Sequence, residues 1–223
     1  MGRYSMNLPA VSESEQAVLA RSRVCVAGLG GLGGFVLEFL ARLGAGNITG
    51  IDFDRFDISN LNRQILARED NAGALKTEAA RERVRLVNSA VAFTPLTEKL
   101  DESNAAELLG GHDLVIDALD GVPDRLLLAK ACASLRIPIV HGALDGWRGQ
   151  AAVVYPGDGL LDRLYSAAGA KITKPAALSF TAAAVASLQA SLAARVLLGR
   201  DLPEAGTLFL LNLEKPALER MKI

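Results

Sequence analysis

The sequence predicts an α/β fold, Rossmann-like and doubly wound, with a mostly parallel sheet and a C-terminal antiparallel strand extension. Three observations predict it. Strand-like apolar runs alternate with helix-like periodic runs, the pattern of repeated β-α-β units. The stretch DLVIDALD, Asp113–Asp120, holds a continuous apolar run bounded by aspartates, as suits a central parallel strand buried on both faces. The stretch VCVAGLGGLGG, Val24–Gly34, places a glycine loop between a strand and a helix.

The elements follow in order. A first strand covers Arg23–Ala27, and a helix runs over Leu32–Leu43, with Phe35, Phe39 and Leu43 at helical spacing before Gly44 and Gly46 stop it. The second strand, Asn47–Asp52, ends in the acidic run IDFD. A polar loop with ISNLNRQ leads to a helix over Leu75–Asn88, whose face of Ala79, Val84 and Val87 looks inward. The third strand is Val91–Leu96, and Ser103 caps a short helix that ends before Gly110. After the fourth strand come a helix over Pro123–Leu135, a strand over Pro138–His141 and another over Gln150–Tyr155. The next stretch is rich in Gly, Pro and small residues and reads as a crossover loop. A long helix, Ser179–Leu198, precedes two strands, Thr207–Leu213 and Ala217–Lys222, expected to pair as a hairpin beside the main sheet. We expect a single domain over 1–223, with an N-terminal arm and helix in 1–22, the core in 23–155, the crossover loop in 156–178 and the C-terminal helix and strands in 179–223.

Composition narrows the function. Half the residues are hydrophobic and the net charge is −1, which describes a compact chain with ample core and offers no electrostatic reason to bind nucleic acid. The two cysteines, Cys25 and Cys132, sit in apolar or helical surroundings and read as buried thiols, and without a CxxC pair a cysteine zinc site is excluded. The N-terminus lacks an apolar signal region, so a cytoplasmic setting is expected. Ser187, Gln189, Ser191 and Arg195 interrupt the apolar late helix, which reads as buried or dimer-facing rather than membrane-spanning.

The chemistry begins at the glycine loop. Gly28, Gly30 and Gly33 form G-x-G-x-x-G, with a further glycine at Gly31. Such a loop lets backbone approach phosphates, and the following helix N-terminus offers free N–H groups to an anion. Asp52, roughly 20 residues on, is placed for ribose hydroxyls. At this point NAD, FAD and ATP all remain open. The next loop adds Ser59, Asn60, Asn62, Arg63 and Gln64 at the same sheet edge, and Lys76 opens the following helix. Two cations beside a phosphate cradle suit a triphosphate that breaks between its α and β groups, because charge builds on the leaving pyrophosphate. At the exit of the fourth strand either Asp117 or Asp120 could hold Mg²⁺, with Asp120 better placed and Asp117 suited to brace neighbouring backbone. An NAD-linked oxidoreductase is the reading from another class, with His141 as its candidate catalytic group and His112 at the surface of the opposite edge.

Together these stretches resemble the ThiF/MoeB/HesA family, relatives of the ubiquitin-activating enzymes. RYS at Arg3–Ser5, VAGLGGLGG, IDFD, SNLNRQ, Lys76, the closing aspartate of DLVIDALD and SLQA at Ser187–Ala190 occur in family order. The resemblance implies an adenylyltransferase that uses ATP and Mg²⁺ to activate the C-terminal glycine of a small ubiquitin-like sulfur carrier ending in Gly-Gly, and it implies a homodimer. Residue by residue, it implies nucleotide contacts from Gly28, Gly30, Gly31, Gly33, Asp52, Ser59, Asn60, Asn62, Arg63, Lys76, Asp120 and Gly121. Arg63, Lys76 and Asp120 would be catalytic, with Asp120 serving Mg²⁺.

The sequence departs from the family pattern in four places. Met6 stands where the family's RYSRQ has an arginine that reaches the partner subunit. The paired CxxC zinc ligands are absent, and no cysteine lies between Tyr155 and Ser179 to carry a covalent intermediate. Gly121 follows Asp120 where the family has asparagine. These departures keep a second reading open, a nucleotide-binding scaffold without catalysis.

Overall fold

The computed structural model describes residues 2–166 and 175–223. Its strands are β1 (Arg23–Ala27), β2 (Asn47–Ile51), β3 (Ala92–Leu96), β4 (Leu114–Asp117), β5 (Ile139–Asp145), β6 (Arg148–Val154), β7 (Thr207–Asn212) and β8 (Ala217–Lys222). Its helices are α1 (Glu13–Leu19), α2 (Gly31–Leu43), α3 (Lys76–Val87), α4 (Ala105–Leu109), α5 (Val122–Leu135), α6 (Leu160–Ser166) and α7 (Ser179–Leu198).

The strands form one sheet in the order β3-β2-β1-β4-β5-β6-β7-β8. From β3 to β5 every pairing is parallel, and from β5 to β8 every pairing is antiparallel. The chain winds outward from β1 to β3 and then returns to place β4 on the other side of β1. The gap between the exits of β1 and β4 is therefore the switch point, where open α/β sheets leave a crevice.

Both faces of the sheet are covered, which explains the apolar runs Val24–Ala27 in β1 and Leu114–Ile116 in β4. On one face Leu32, Val36, Leu37 and Leu40 of α2 pack with Ala80 and Val84 of α3 and with Ala182, Val185 and Ala186 of α7. On the other, Leu109 of α4, Leu128 and Cys132 of α5 and Leu160 and Leu161 of α6 pack against Cys25, Val115 and Ile139. Each fully buried leucine among them contributes about 1.5–3 kcal/mol of transfer free energy. Helix α7 is long and apolar enough to cross a membrane by length and composition. Here it lies in the core, and its Gln189 is buried with Nε2 donating to the carbonyls of Asp117 and Val140.

Several local expectations need correction. The inward stripe of α2 is Leu32–Val36–Leu37–Leu40, and Phe35 and Phe39 sit half-buried at its rim. In α3 the fully buried alanine is Ala80, while Ala79 and Val87 are partly buried. Ser103 does not cap α4: Asn104 stands at the N-cap with no side-chain cap bond, and Ser103 lies in the preceding turn, where the backbone N–H groups of Ser103 and Asn104 donate to Asp101 Oδ1. The strand begun at Pro138 runs on to Asp145 and turns back directly into β6, so the antiparallel part of the sheet starts earlier than the sequence rhythm suggested. The crossover opens with a helix, α6, because Leu160 and Leu161 bury fully. Positions 167–174 of the predicted crossover loop lie outside the described residues. His112 is half-buried rather than a surface residue, with its ring nitrogens on Leu109 O and Thr49 Oγ1.

Both cysteines are free and buried, as expected. Burial pushes the Cys132 thiol up to about 12 and raises Cys25 as well, so neither is available as a thiolate near neutral pH.

Candidate active site

At the switch point the strand exits enclose a cleft of about 350 Å³. Of the site residues expected from sequence, Gly28, Gly30, Gly31, Asp52, Arg63, Lys76 and Asp120 line it. Gly28 has φ +90°, and a Cβ there would come within 2.7 Å of Ala118 O, so the loop is pressed against the exit of β4. Gly30 precedes α2 and no side chain caps that helix, which leaves its first N–H groups for an anion.

Asp52 is buried at the end of β2. Its Oδ2 accepts from the N–H of Leu29 at 2.7 Å, and its Oδ1 accepts from the N–H of Asp54 at 2.9 Å. Those bonds fix the carboxylate against the glycine loop, and each oxygen keeps a lone pair for a ligand hydroxyl. Lys76 opens α3 and is only 6% exposed, unusual for a lysine. Its Nζ lies 2.9 Å from Asp54 Oδ2 and 3.7 Å from Asp52 Oδ2. Arg63 sits next to Gly31, and its guanidinium donates to Ser59 O at 2.8 Å and Asn62 Oδ1 at 2.9 Å.

The remaining expected residues do not line the cleft. Gly33 is packed beneath it, where a Cβ would stand 1.8 Å from Gly28 O. Asn60 Oδ1 accepts from the N–H of Asp57, so its side chain closes a short 3-10 turn, Ile58–Asn60. Ser59 offers its carbonyl to Arg63, and Asn62 donates Nδ2–H to Ala177 O at 3.1 Å, tying this loop to the chain just before α7. Gly121 precedes α5 and is discussed with Asp124 below. The Asn60 and Asn62 side chains and the Ser59 carbonyl thus shape the loop that holds Arg63.

Asp120 and Asp124 both reach the cleft at the start of α5. A Cβ on Gly121 would lie 2.8 Å from Asp124 Oδ2, so the Asp124 carboxylate occupies the space that a side chain at position 121 would take. Among the described residues no group of three His, Cys, Asp or Glu could hold a metal by itself. One or two carboxylates completed by phosphate oxygens is the donor set that Mg²⁺ accepts, and this corner fits it. Sequence reasoning missed Asp124. Its signal was the spacing D-G-x-x-D across a helix start, which returns the second carboxylate to the first.

Asp117 does not enter the cleft. It is fully buried, accepts from the N–H of Leu119 at 3.1 Å and from His141 Nδ1 at 2.7 Å, and lies 3.7 Å from the Arg125 guanidinium. Burial disfavours its charge, but Arg125 and the His141 hydrogen bond outweigh burial and hold its carboxyl below the ordinary range. Burial pushes His141 down, so it is neutral near pH 7. His141 is fully buried in mid-strand and absent from the cleft lining, which removes the candidate catalytic group of a dehydrogenase.

Fold and site together define a class: a doubly wound α/β protein with an anion cradle, buried lysine and paired carboxylates at its switch point. The ThiF family profile matches residues 3–223, and the chain belongs to that family. It is 34% identical to a molybdopterin-synthase adenylyltransferase of Escherichia coli, over 93% of this chain and 86% of that protein. It is also 34% identical to a sulfur carrier protein adenylyltransferase of Thermus thermophilus, over 100% of this chain and 87% of that protein. With the SAMP-activating enzyme E1 of Haloferax volcanii it shares 39% identity, over 70% of this chain and 58% of that one. Its fold is that of the solved Escherichia coli MccB with ATP, at a TM-score of 0.85 and 20% identity, covering 99% of this chain and 70% of that one.

Proposed function

We propose that this chain is an ATP-dependent adenylyltransferase that activates the C-terminal glycine of a small ubiquitin-like sulfur carrier as an acyl-adenylate. The observation that carries the reading is Lys76, a lysine buried beside Asp52 and Asp54 at the mouth of a phosphate-type glycine loop. A dinucleotide whose pyrophosphate already rests on a helix N-terminus needs little further positive charge. A triphosphate that must release pyrophosphate does need it.

In this reading the carrier's terminal carboxylate oxygen attacks the α-phosphorus of ATP. A new P–O bond forms, the α–β bridge bond breaks, and pyrophosphate leaves with its electron pair. No general base is required, because the carboxylate is ionised at neutral pH. Gly28, Gly30 and Gly31 receive the phosphates, Asp52 takes ribose hydroxyls, and Arg63 and Lys76 oppose the charge that grows on the leaving group. Asp120 and Asp124 hold Mg²⁺, which when bound neutralises phosphate charge. Ser59, Asn60, Asn62, Gly33 and Gly121 serve by holding the loops in place. We treat the whole chain as one such unit, acting in the cytoplasm.

The test is ATP–pyrophosphate exchange against a panel of small Gly-Gly-tailed proteins, with calorimetry for nucleotide choice. The expected result is Mg·ATP binding, no NAD binding and exchange only with a cognate carrier. NAD binding without ATP binding overturns the proposal. ATP binding without exchange on any carrier favours the scaffold reading, for which Met6, 90% exposed in place of an arginine, is the specific observation. Arg3 does not replace that arginine within its own subunit, since it bonds Val87 O at the far end of α3 from Lys76.

The proposal includes a homodimer. Helix α7 is largely used within its own subunit, but the Trp147 and Phe180 rings lie in tilted contact at its N-terminal end with 48% and 45% exposure. Sedimentation velocity at micromolar concentration is expected to show the dimer mass, and Phe180→Glu to shift it to monomer. A strictly monomeric wild type at that concentration removes this part.

A further inference from the structure

Resting on that reading for its kinetic arm alone, we propose that Arg125 is a positioning residue for Asp120, and that Tyr165, at the root of the crossover, fixes where Arg125 lies. Leu119 is the residue immediately before Asp120, and its peptide groups are gripped from both sides. Its N–H donates to Asp117 Oδ1 at 3.1 Å, and its carbonyl accepts from Arg125 Nη2. The backbone that delivers Asp120 to the cleft thus hangs on one buried ion pair.

Arg125 is held in turn by elements far away in sequence. Its Nη1 donates to Gly142 O in β5 at 2.8 Å and to the Tyr165 hydroxyl in α6 at 3.2 Å. The guanidinium carbon lies 5.9 Å from the centre of the Tyr165 ring, which meets the His141 ring edge-on. The Tyr165 hydroxyl also lies 3.3 Å from His141 Nε2, and His141 is bonded to Asp117. Arg125 is 6% exposed, and Asp117 and His141 are fully buried. A planar guanidinium in so little free space has one orientation, so its fork transmits any change in its partners to the Leu119 carbonyl.

The chain of contacts runs from α6 through Tyr165 and Arg125 to Leu119 and then Asp120. Helix α6 is the first part of the crossover and is itself seated by Leu160 and Leu161, both fully buried. Packing alone does not account for this arrangement. An apolar side chain at position 125 would fill the space without reaching two backbone carbonyls on separate elements. The arginine ties the cleft loop, β5 and the crossover helix to one group.

The experiment uses the full chain with Tyr165→Phe, which removes one hydroxyl and keeps the ring, and Arg125→Lys, which keeps the charge and loses the fork. Deuterium exchange of the Leu119–Gly121 backbone is expected to quicken about tenfold in Arg125→Lys, the change that one lost hydrogen bond brings. Tyr165→Phe is expected to give a smaller rise at the same place, and exchange in β2 and β3 to stay as in wild type. In ATP–pyrophosphate exchange, Tyr165→Phe is expected to slow wild type several-fold and to add nothing in an Asp120→Asn background. Independent multiplication of the two effects indicates a merely structural role and overturns the proposal. Unchanged deuterium exchange at Leu119–Gly121 in both variants overturns it as well. If wild type exchanges no pyrophosphate with any carrier, the adenylyltransferase reading fails, and deuterium exchange alone decides the positioning role.

Discussion

Lys76→Ala is expected to lower ATP–pyrophosphate exchange by about 10²–10³-fold, the usual loss when one preorganised charge-stabilising donor is removed from a low-dielectric site. The position explains the size. Lys76 is buried, its Nζ is held between Asp52 and Asp54, and its backbone N–H bonds Asp54 O, so the ammonium is placed before any ligand arrives. Placement of that kind requires no reorganisation as charge moves onto the leaving pyrophosphate. The same geometry predicts a second effect. Without the ammonium, the Asp52 and Asp54 carboxylates lose the cation that lies beside both, so the variant loses thermal stability and affinity for Mg·ATP. Lys76→Arg keeps the charge but not the compact ammonium, and is expected to recover stability more fully than exchange. Steady-state exchange and thermal melts of the three proteins check this. Wild-type exchange in Lys76→Ala removes Lys76 from the mechanism.

Gly33→Ala is expected to destabilise the fold by about 3 kcal/mol, the upper end of the ordinary cost of overpacking. A methyl group at Gly33 would stand 1.8 Å from Gly28 O and 2.8 Å from Gly28 C. Both contacts are backbone, so no rotamer change relieves them. Either α2 must lift from the exit of β1, or the turn that cradles the phosphates must open. Urea denaturation measures the loss, which corresponds to a drop of about 2–4 °C in melting temperature per kcal/mol for a chain of this size. Gly31→Ala is the contrast. Its added Cβ meets Arg63 atoms first, the nearest at 3.8 Å, an ordinary contact. That variant is expected to melt near wild type and to bind ATP more weakly, because the methyl enters the cleft. Equal stability of the two variants removes the close-approach explanation of the third loop glycine.

Much of the fold was legible because local rules and tertiary packing agree. The strand Arg23–Ala27, the helix Ser179–Leu198 and the strand Ala217–Lys222 fall where periodicity placed them. Where packing overrode the local signal, reading failed in small and explicable ways. The stripe of α2 turned toward Leu37 and Leu40 because the helix lies on the sheet with α3 and α7 packed beside it. Helix α6 was hidden by Gly157 and Gly159, whose positive φ values serve the turn before it. The strand beyond His141 was lost because Gly142, Asp145 and Gly146 look like a turn, though β6 pairs with all of β5.

The sequence by itself determined the family, the glycine loop, and the residues Asp52, Arg63, Lys76 and Asp120 that meet at one cleft. Those features lie within short windows, where spacing along the chain sets spacing in space. Only the tertiary structure decided that Asp124 fills the space beside Gly121, that Asp117 faces inward, and that His141 belongs to a buried network rather than to the cleft. It alone brought Arg125 and Tyr165 together and joined them to Leu119. The reason is physical: a contact between residues on α5, α6 and β5 depends on how helices pack on a sheet, and hydrophobic periodicity records which face is buried but not what that face will meet.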